Sequence, residues 1–190
     1  TKDIDNLIAG QYISTVSDAN NCTIKDTTVI TQPTQLITTV SKTDVSCYQG
    51  MDGTATVTPG GGTPPYSIHW SNGGITEMIS NLYASPFFVN VNDNNNCAAA
   101  TQSVVIKQPA PLMVQIEVEN PTCGYSNGKL TAKVKGGTAP YSFLWNGGGT
   151  DSAKLSVNTG DHSIEITDDK SCITSTDTTV IIKAVPEEIC

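Results

Sequence analysis

The segment Gly60-Gly61-Gly62-Thr63-Pro64-Pro65-Tyr66-Ser67-Ile68-His69-Trp70-Ser71-Asn72-Gly73-Gly74 returns 75 positions later as Gly136-Gly137-Thr138-Ala139-Pro140-Tyr141-Ser142-Phe143-Leu144-Trp145-Asn146-Gly147-Gly148-Gly149. An internal period of this length replaces one large core with a string of small units, each with its own. Each copy reads as a turn, a short strand and a second turn. Glycine supplies positive φ, and Pro65 and Pro140 fix φ just ahead of the strand. The two-residue period of a strand puts Tyr66, Ile68 and Trp70 on one face and Ser67 and His69 on the other. Tyr141, Phe143 and Trp145 share the matching face. Both tryptophans of the chain fall at the same place in their copies. Tyr66, Trp70, Tyr141 and Trp145 are therefore expected to anchor the cores of the units rather than to form an exposed platform for glycan.

The period divides the chain. Residues 1–34 read as the C-terminal half of a repeat, 35–110 and 111–186 as full repeats, and 187–190 as the start of a following segment. Since the chain opens inside a repeat, its native N-terminus is expected further upstream. The strand rhythm is clear in Leu36 to Val40, Thr54 to Thr58, Met113 to Val118, Leu130 to Lys135 and Ser163 to Thr167. No stretch has sustained helical periodicity. Many short strands between Gly-, Pro- and Asn-rich turns predict an all-β chain of tandem immunoglobulin-like antiparallel β-sandwiches. The links Gln32-Pro33-Thr34 and Gln108-Pro109-Ala110-Pro111 are short and proline-stiffened, which predicts an elongated, semi-rigid array.

The six cysteines follow the same period. Cys22, Cys97 and Cys172 lie 75 apart, Cys47 and Cys123 lie 76 apart, and no pair forms a CxxC motif. This placement points to structural disulfides and an oxidising compartment, with buried free thiols as the other reading. Each unit is expected to staple itself, Cys47 to Cys97 and Cys123 to Cys172. The alternative, Cys22 to Cys47 and Cys97 to Cys123, would clamp neighbouring units together. Cys22 is then left without its partner, and Cys190 belongs to whatever follows or stays free.

Charged residues make up only 15% of the chain, and the formal charge is −8. Nucleic acid and anionic membrane surfaces both call for basic patches, so neither is an expected partner. No apolar run reaches the length of a membrane span. There is no GxSxG, HExxH or phosphate-cradling glycine loop, so neither an enzyme nor a cofactor is expected. His69 corresponds to Leu144 in the other copy and His162 to Phe87, and unmatched histidines belong at the surface or rim. Asp18, Asp93 and Asp168 occupy equivalent Asn/Asp-rich turns and are the candidate calcium ligands. Hairpin turns in which Asp bonds its own backbone explain the same pattern. Lys170 and the lack of EF-hand spacing favour the turn.

The motifs Asp52-Gly53-Thr54-Ala55-Thr56-Val57, Gly61-Gly62-Thr63-Pro64-Pro65-Tyr66-Ser67-Ile68, Trp70-Ser71-Asn72-Gly73, Ile79-Ser80-Asn81-Leu82, Asn92-Asp93-Asn94-Asn95-Asn96-Cys97 and Val105-Ile106-Lys107-Gln108-Pro109, in this order, resemble the SprB-type repeat. That repeat occurs in very long surface proteins of gliding Bacteroidetes. The third copy departs from the pattern at Asn127-Gly128-Lys129-Leu130 and Asp168-Asp169-Lys170-Ser171. The resemblance implies the shaft of a mobile cell-surface adhesin that serves gliding motility and attachment. It implies a protein exported across the outer membrane by type IX secretion. The implied partners are neighbouring repeats, the secretion and gliding machinery, and surface polysaccharide. Val185-Pro186-Glu187-Glu188-Ile189-Cys190 is similar to the lead-in of a C-terminal secretion domain. Thr27, Ser152 and Thr178 follow aspartate in segments that resemble the Bacteroidetes O-glycosylation acceptor, with Thr27 and Thr178 at strand starts. The competing expectations are a carbohydrate-binding accessory region of a secreted hydrolase and a passive structural spacer.

Overall fold

The computed structural model describes residues 3–122 and 125–181. Residues 187–190 and Cys123 therefore lie outside the described residues. The described residues form strands and no helix, so no helix among them is long and apolar enough to cross a membrane. A hairpin of β1 (Gly10–Ser17) and β2 (Thr23–Ile30) comes first. The first complete unit holds β3 (Ile37–Thr43), β4 (Gly53–Gly60), β5 (Ser67–Trp70), β6 (Met78–Leu82), β7 (Pro86–Asn92) and β8 (Gln102–Val105). The second repeats that order as β9 (Met113–Glu119), β10 (Gly128–Lys135), β11 (Tyr141–Trp145), β12 (Ala153–Val157), β13 (Gly160–Asp168) and β14 (Ile173–Val180).

Each unit is an antiparallel sandwich of two three-stranded sheets, ordered β3-β4-β6 and β5-β7-β8 in the first and β9-β10-β12 and β11-β13-β14 in the second. Alternation along the strands makes the core. Phe87, Val89 and Val91 point inward from β7 and meet Ala55 and Val57 of β4, with Trp70 and Leu82 closing the cluster. The second core gathers Leu130, Ala132, Trp145, Val157, Ile164, Ile166 and Val180. The two clusters share no residue, so each unit has a core of its own. The accessible surface is 12875 Å², against about 9,000 Å² for one compact globule of this length. Two separate small cores and a hairpin exposed along most of its length leave more surface in water than one core would.

The register defines two ends of each sandwich. At the entry end Ile37 pairs with Gly60 and Ser67 with Asn92. At the exit end Thr43 pairs with Thr54 and Pro86 with Val105. The link into each unit runs against a glycine in the left-handed region, Gly61 (φ 68°) or Gly136 (φ 72°). A Cβ at either position would stand 2.1 Å from the Gln35 carbonyl oxygen or 1.9 Å from that of Pro111. The glycine runs thus let the incoming chain pass close to the sheet.

Strands β6 and β12 carry no clear period in the sequence. Asn81 (φ 55°) and Ser156 (φ 57°) sit in the left-handed region, and pairing with β4 and β10 shifts register nearby. This irregularity brings both Ile79 and Leu82 to the core at a spacing of three, which breaks strand alternation.

Candidate functional site at the joint between units

The turns from β1 to β2, β7 to β8 and β13 to β14 are built alike. The Asp93 Oδ1 atom accepts the backbone N–H groups of Asn95 (2.9 Å) and Cys97 (2.8 Å), and its Oδ2 accepts that of Thr63 (2.9 Å). Asp168 repeats this with Lys170 (2.9 Å), Cys172 (2.9 Å) and Thr138 (2.8 Å). Asp18 keeps the two local bonds, to Asn20 and Cys22, both 2.8 Å. In the full units the carboxylate therefore ties the turn to the Gly-Gly-Thr segment at the entry end. Asp93 and Asp168 are both buried. Burial pushes each carboxyl upward, but the N–H donors outweigh it and hold both below the usual carboxylate range. Both oxygens of Asp93 and Asp168, and Oδ1 of Asp18, thus already accept backbone N–H groups, and all three calcium candidates brace their turns in this way. Among the described residues no group of three or more His, Cys, Asp or Glu side chains is placed to hold a metal.

A depressed carboxyl pKa contributes stability above the unfolded value of about 4 and loses it as pH falls through the folded value. Thermal melts from pH 7 to pH 3 should therefore show the parent losing stability below about pH 4. Asp168→Asn should melt lower than the parent at neutral pH, because its amide places donors where an acceptor is needed, and the gap should close in acid. A gap constant across that range would remove this role from Asp168.

The loop between β3 and β4, at the exit end, carries Cys47. Val45 is buried there, and its N–H donates to the Lys107 carbonyl at 3.1 Å. The Asp44 carboxylate accepts the Lys107 N–H at 2.7 Å and the Asp52 carboxylate accepts the Ser46 N–H at 2.9 Å. The Gln49 N–H donates to the Gln108 side-chain oxygen at 2.9 Å. The Lys42 ammonium and then the Lys107 N–H hold the Asp44 carboxyl low, and Ser46 does the same for Asp52. Loop and outgoing link thus form one hydrogen-bonded block.

A disulfide joins Cys47 of this block to Cys172 in the β13–β14 turn of the next unit, across 125 positions, with the Cα atoms 5.7 Å apart. This replaces both expected staples, Cys47 with Cys97 and Cys123 with Cys172. The reason is topological. Cys47 lies at the exit end and Cys97 at the entry end of the same sandwich, separated by the seven-residue length of β3, about 20 Å. A disulfide needs Cα atoms within about 7 Å. The inter-unit alternative, Cys22 with Cys47 and Cys97 with Cys123, does not form either, because Cys22 and Cys97 are free and exposed. Head-to-tail stacking sets an exit end against an entry end, and no local spacing in the sequence signals that contact.

The remaining candidates lie away from the joint. Trp70 is 4% exposed and Trp145 1%, and their indole N–H groups donate to the carbonyls of Thr76 (2.9 Å) and Asp151 (3.0 Å). The Tyr66 and Tyr141 hydroxyls donate to the carbonyls of Gly61 and Gly136, each at 2.7 Å. These tyrosines fasten the glycine turns to the aromatic strands. His69 is exposed, and His162 is half-buried with its Nε2 3.1 Å from the Asn158 carbonyl. Ser152 is exposed just before β12. Thr27 and Thr178 lie within β2 and β14, opposite Ile13 and His162, and not at strand starts.

The model of the SprB repeat matches residues 39–74 and 116–150. Among solved structures the chain is similar to the N-terminal eight Ig domains of Down syndrome cell adhesion molecule (DSCAM) isoform 1.30.30, at 12% identity and a TM-score of 0.39. That match covers 93% of this chain and 27% of the other. The fibronectin(III)-like modules of Clostridium thermocellum CbhA are 16% identical, with a TM-score of 0.33, over 80% of this chain and 98% of theirs. No curated protein matches the chain.

Proposed function

Because this chain carries two SprB repeats in tandem, we propose that it is part of the shaft of a large secreted adhesin that serves gliding motility and surface attachment. The chain is a repeat-built protein of the cell-surface type. The observation that carries the reading is the joint, where consecutive repeats are held by a proline-stiffened link and by the Cys47–Cys172 bridge. One connection between two domains is a hinge, whereas two separated connections resist bending. A shaft needs that property. The bridge also calls for an oxidising compartment, in keeping with export across the outer membrane by type IX secretion. The reading is non-enzymatic and needs no cofactor. Its partners are neighbouring repeats, the secretion and gliding machinery, and polysaccharide at the far surface. A carbohydrate-binding accessory region is disfavoured because Trp70 and Trp145 are committed to the cores.

The test uses the source bacterium. Antibody raised against this chain should label intact cells, and in-frame removal of the repeats should abolish movement and attachment while the rest of the protein is still exported. Labelling confined to permeabilised cells, or normal gliding and attachment after the deletion, would overturn the proposal.

A further inference from the structure

We infer that the Cys47–Cys172 bridge is one rung of a ladder that recurs at each joint, and that Cys97 is the acceptor for a rung from the unit preceding its own. The inference rests on the geometry of the joint and holds whether or not the protein is an adhesin.

Three observations carry it. The Cys97 turn matches the bridged Cys172 turn bond for bond, down to left-handed residues just before the cysteines, Asn96 (φ 61°) and Ser171 (φ 63°). The incoming link also docks alike in both units. The Gly62 N–H donates to the Thr34 carbonyl at 2.8 Å, and the Gly137 N–H to that of Ala110 at 3.0 Å. A unit that preceded residues 35–110 as they precede 111–186 would therefore lay its Cys47-type loop on Cys97. Thirdly, the β1–β2 hairpin is the counterpart of β7–β8 with nothing over its core face. Val16 is 64% exposed where its equivalent Val91 is 2% exposed. The strands that would cover that face are the counterparts of β3 and β4, which flank the Cys47-type loop. Cys97 is exposed, and its turn is already built to receive such a loop.

Each rung forms when two thiols give up two protons and two electrons to a disulfide oxidant, which leaves as dithiol. The consequence is mechanical. A pull along a laddered chain enters a unit at its Cys97-type sulfur and leaves at the next Cys47-type sulfur, which is Cys123 in sequence. By the same rule the stretches Cys22–Cys47 and Cys97–Cys123, 25 and 26 positions, both lie on the force path, each extensible to about 90 Å. The remaining strands sit inside closed loops and bear no tension.

The test inserts a second copy of residues 35–110 directly ahead of the first in the full chain. After equilibration with oxidised and reduced glutathione, intact mass after alkylation reads the number of free thiols. The ladder predicts an unchanged number despite two added cysteines, since the upstream Cys47 closes on the downstream Cys97. A rise of two would overturn it. Self-stapling of the inserted copy also leaves the number unchanged, so a second variant separates the two. Cys97→Ser in the inserted copy should lower the number by one if that thiol is free, as the ladder requires. It should raise the number by one if that cysteine was bonded to Cys47 of its own copy, which would refute the ladder. Because Cys97 is exposed, the substitution leaves the core intact, and an unchanged melting curve verifies the fold.

Discussion

Trp145→Ala is expected to destabilise the second unit by about 3–5 kcal/mol, the range for large core truncations. Trp145 is 1% exposed, its ring lies among both sheets' core residues, and its indole N–H bonds the Asp151 carbonyl at 3.0 Å. Removing the ring leaves a cavity between two small sheets with few residues able to close it. It also leaves that carbonyl without its donor. A domain of this size has about 5–10 kcal/mol of total stability, so the loss takes most of it. Trp70→Ala should act likewise on the first unit, where Gly74 lies close beneath the indole. Equilibrium denaturation of the full chain under reducing conditions, which open the Cys47–Cys172 bridge, should show the transition of the substituted unit moving alone, because the cores share no residue. Trp145→Phe should recover most of the packing and lack only the hydrogen bond. Trp145→Ala unfolding like the parent would show that the ring is not the anchor.

The features legible in the sequence are those with a local period. Tyr66, Ile68 and Trp70 alternate with polar residues, and the structure buries Ile68 and Trp70 while leaving Ser67 and His69 exposed. The 75-residue recurrence marked the tandem sandwiches for the same reason, since like segments fold into like strands. Strand β6 was not legible because Asn81 turns left-handed and puts Ile79 and Leu82 on one side at a spacing of three. The disulfide was not legible for a different reason. Cysteine spacing shows which positions are equivalent, but a pairing depends on which ends meet. The decisive fact is that β3 carries the chain from the entry end to the exit end before Cys47 is reached. The roles of Asp93 and Asp168 lay between these cases. The turn was visible, whereas the third bond, to Thr63 or Thr138 thirty positions upstream, depends on the sheet.

Reduction of the Cys47–Cys172 bridge is expected to destabilise both units by up to about 4 kcal/mol each, a symmetry that a self-contained staple would not give. When the second unit unfolds beside a folded first unit, the chain between the link at Pro111 and Cys172 is a closed loop of 61 positions. When the first unfolds alone, the loop runs from Cys47 to Pro109, 62 positions. Closing a loop of either length removes about 14 cal/mol/K from the unfolded chain, which gives the figure above at room temperature. Denaturation with and without reductant should therefore move both transitions down by similar amounts, and Cys47→Ser should reproduce the shift without reductant. Cys97→Ser is the control, because that thiol is exposed and unpaired in this chain and its loss should move neither transition. A Cys97→Ser effect as large as that of Cys47→Ser, or a reductant effect confined to one unit, would mean that the units staple themselves. The distinction matters for mechanics as well as for stability. A bridge inside a unit protects that unit and leaves the joint free to bend, whereas a bridge across the joint couples the unfolding of each unit to the integrity of its neighbour.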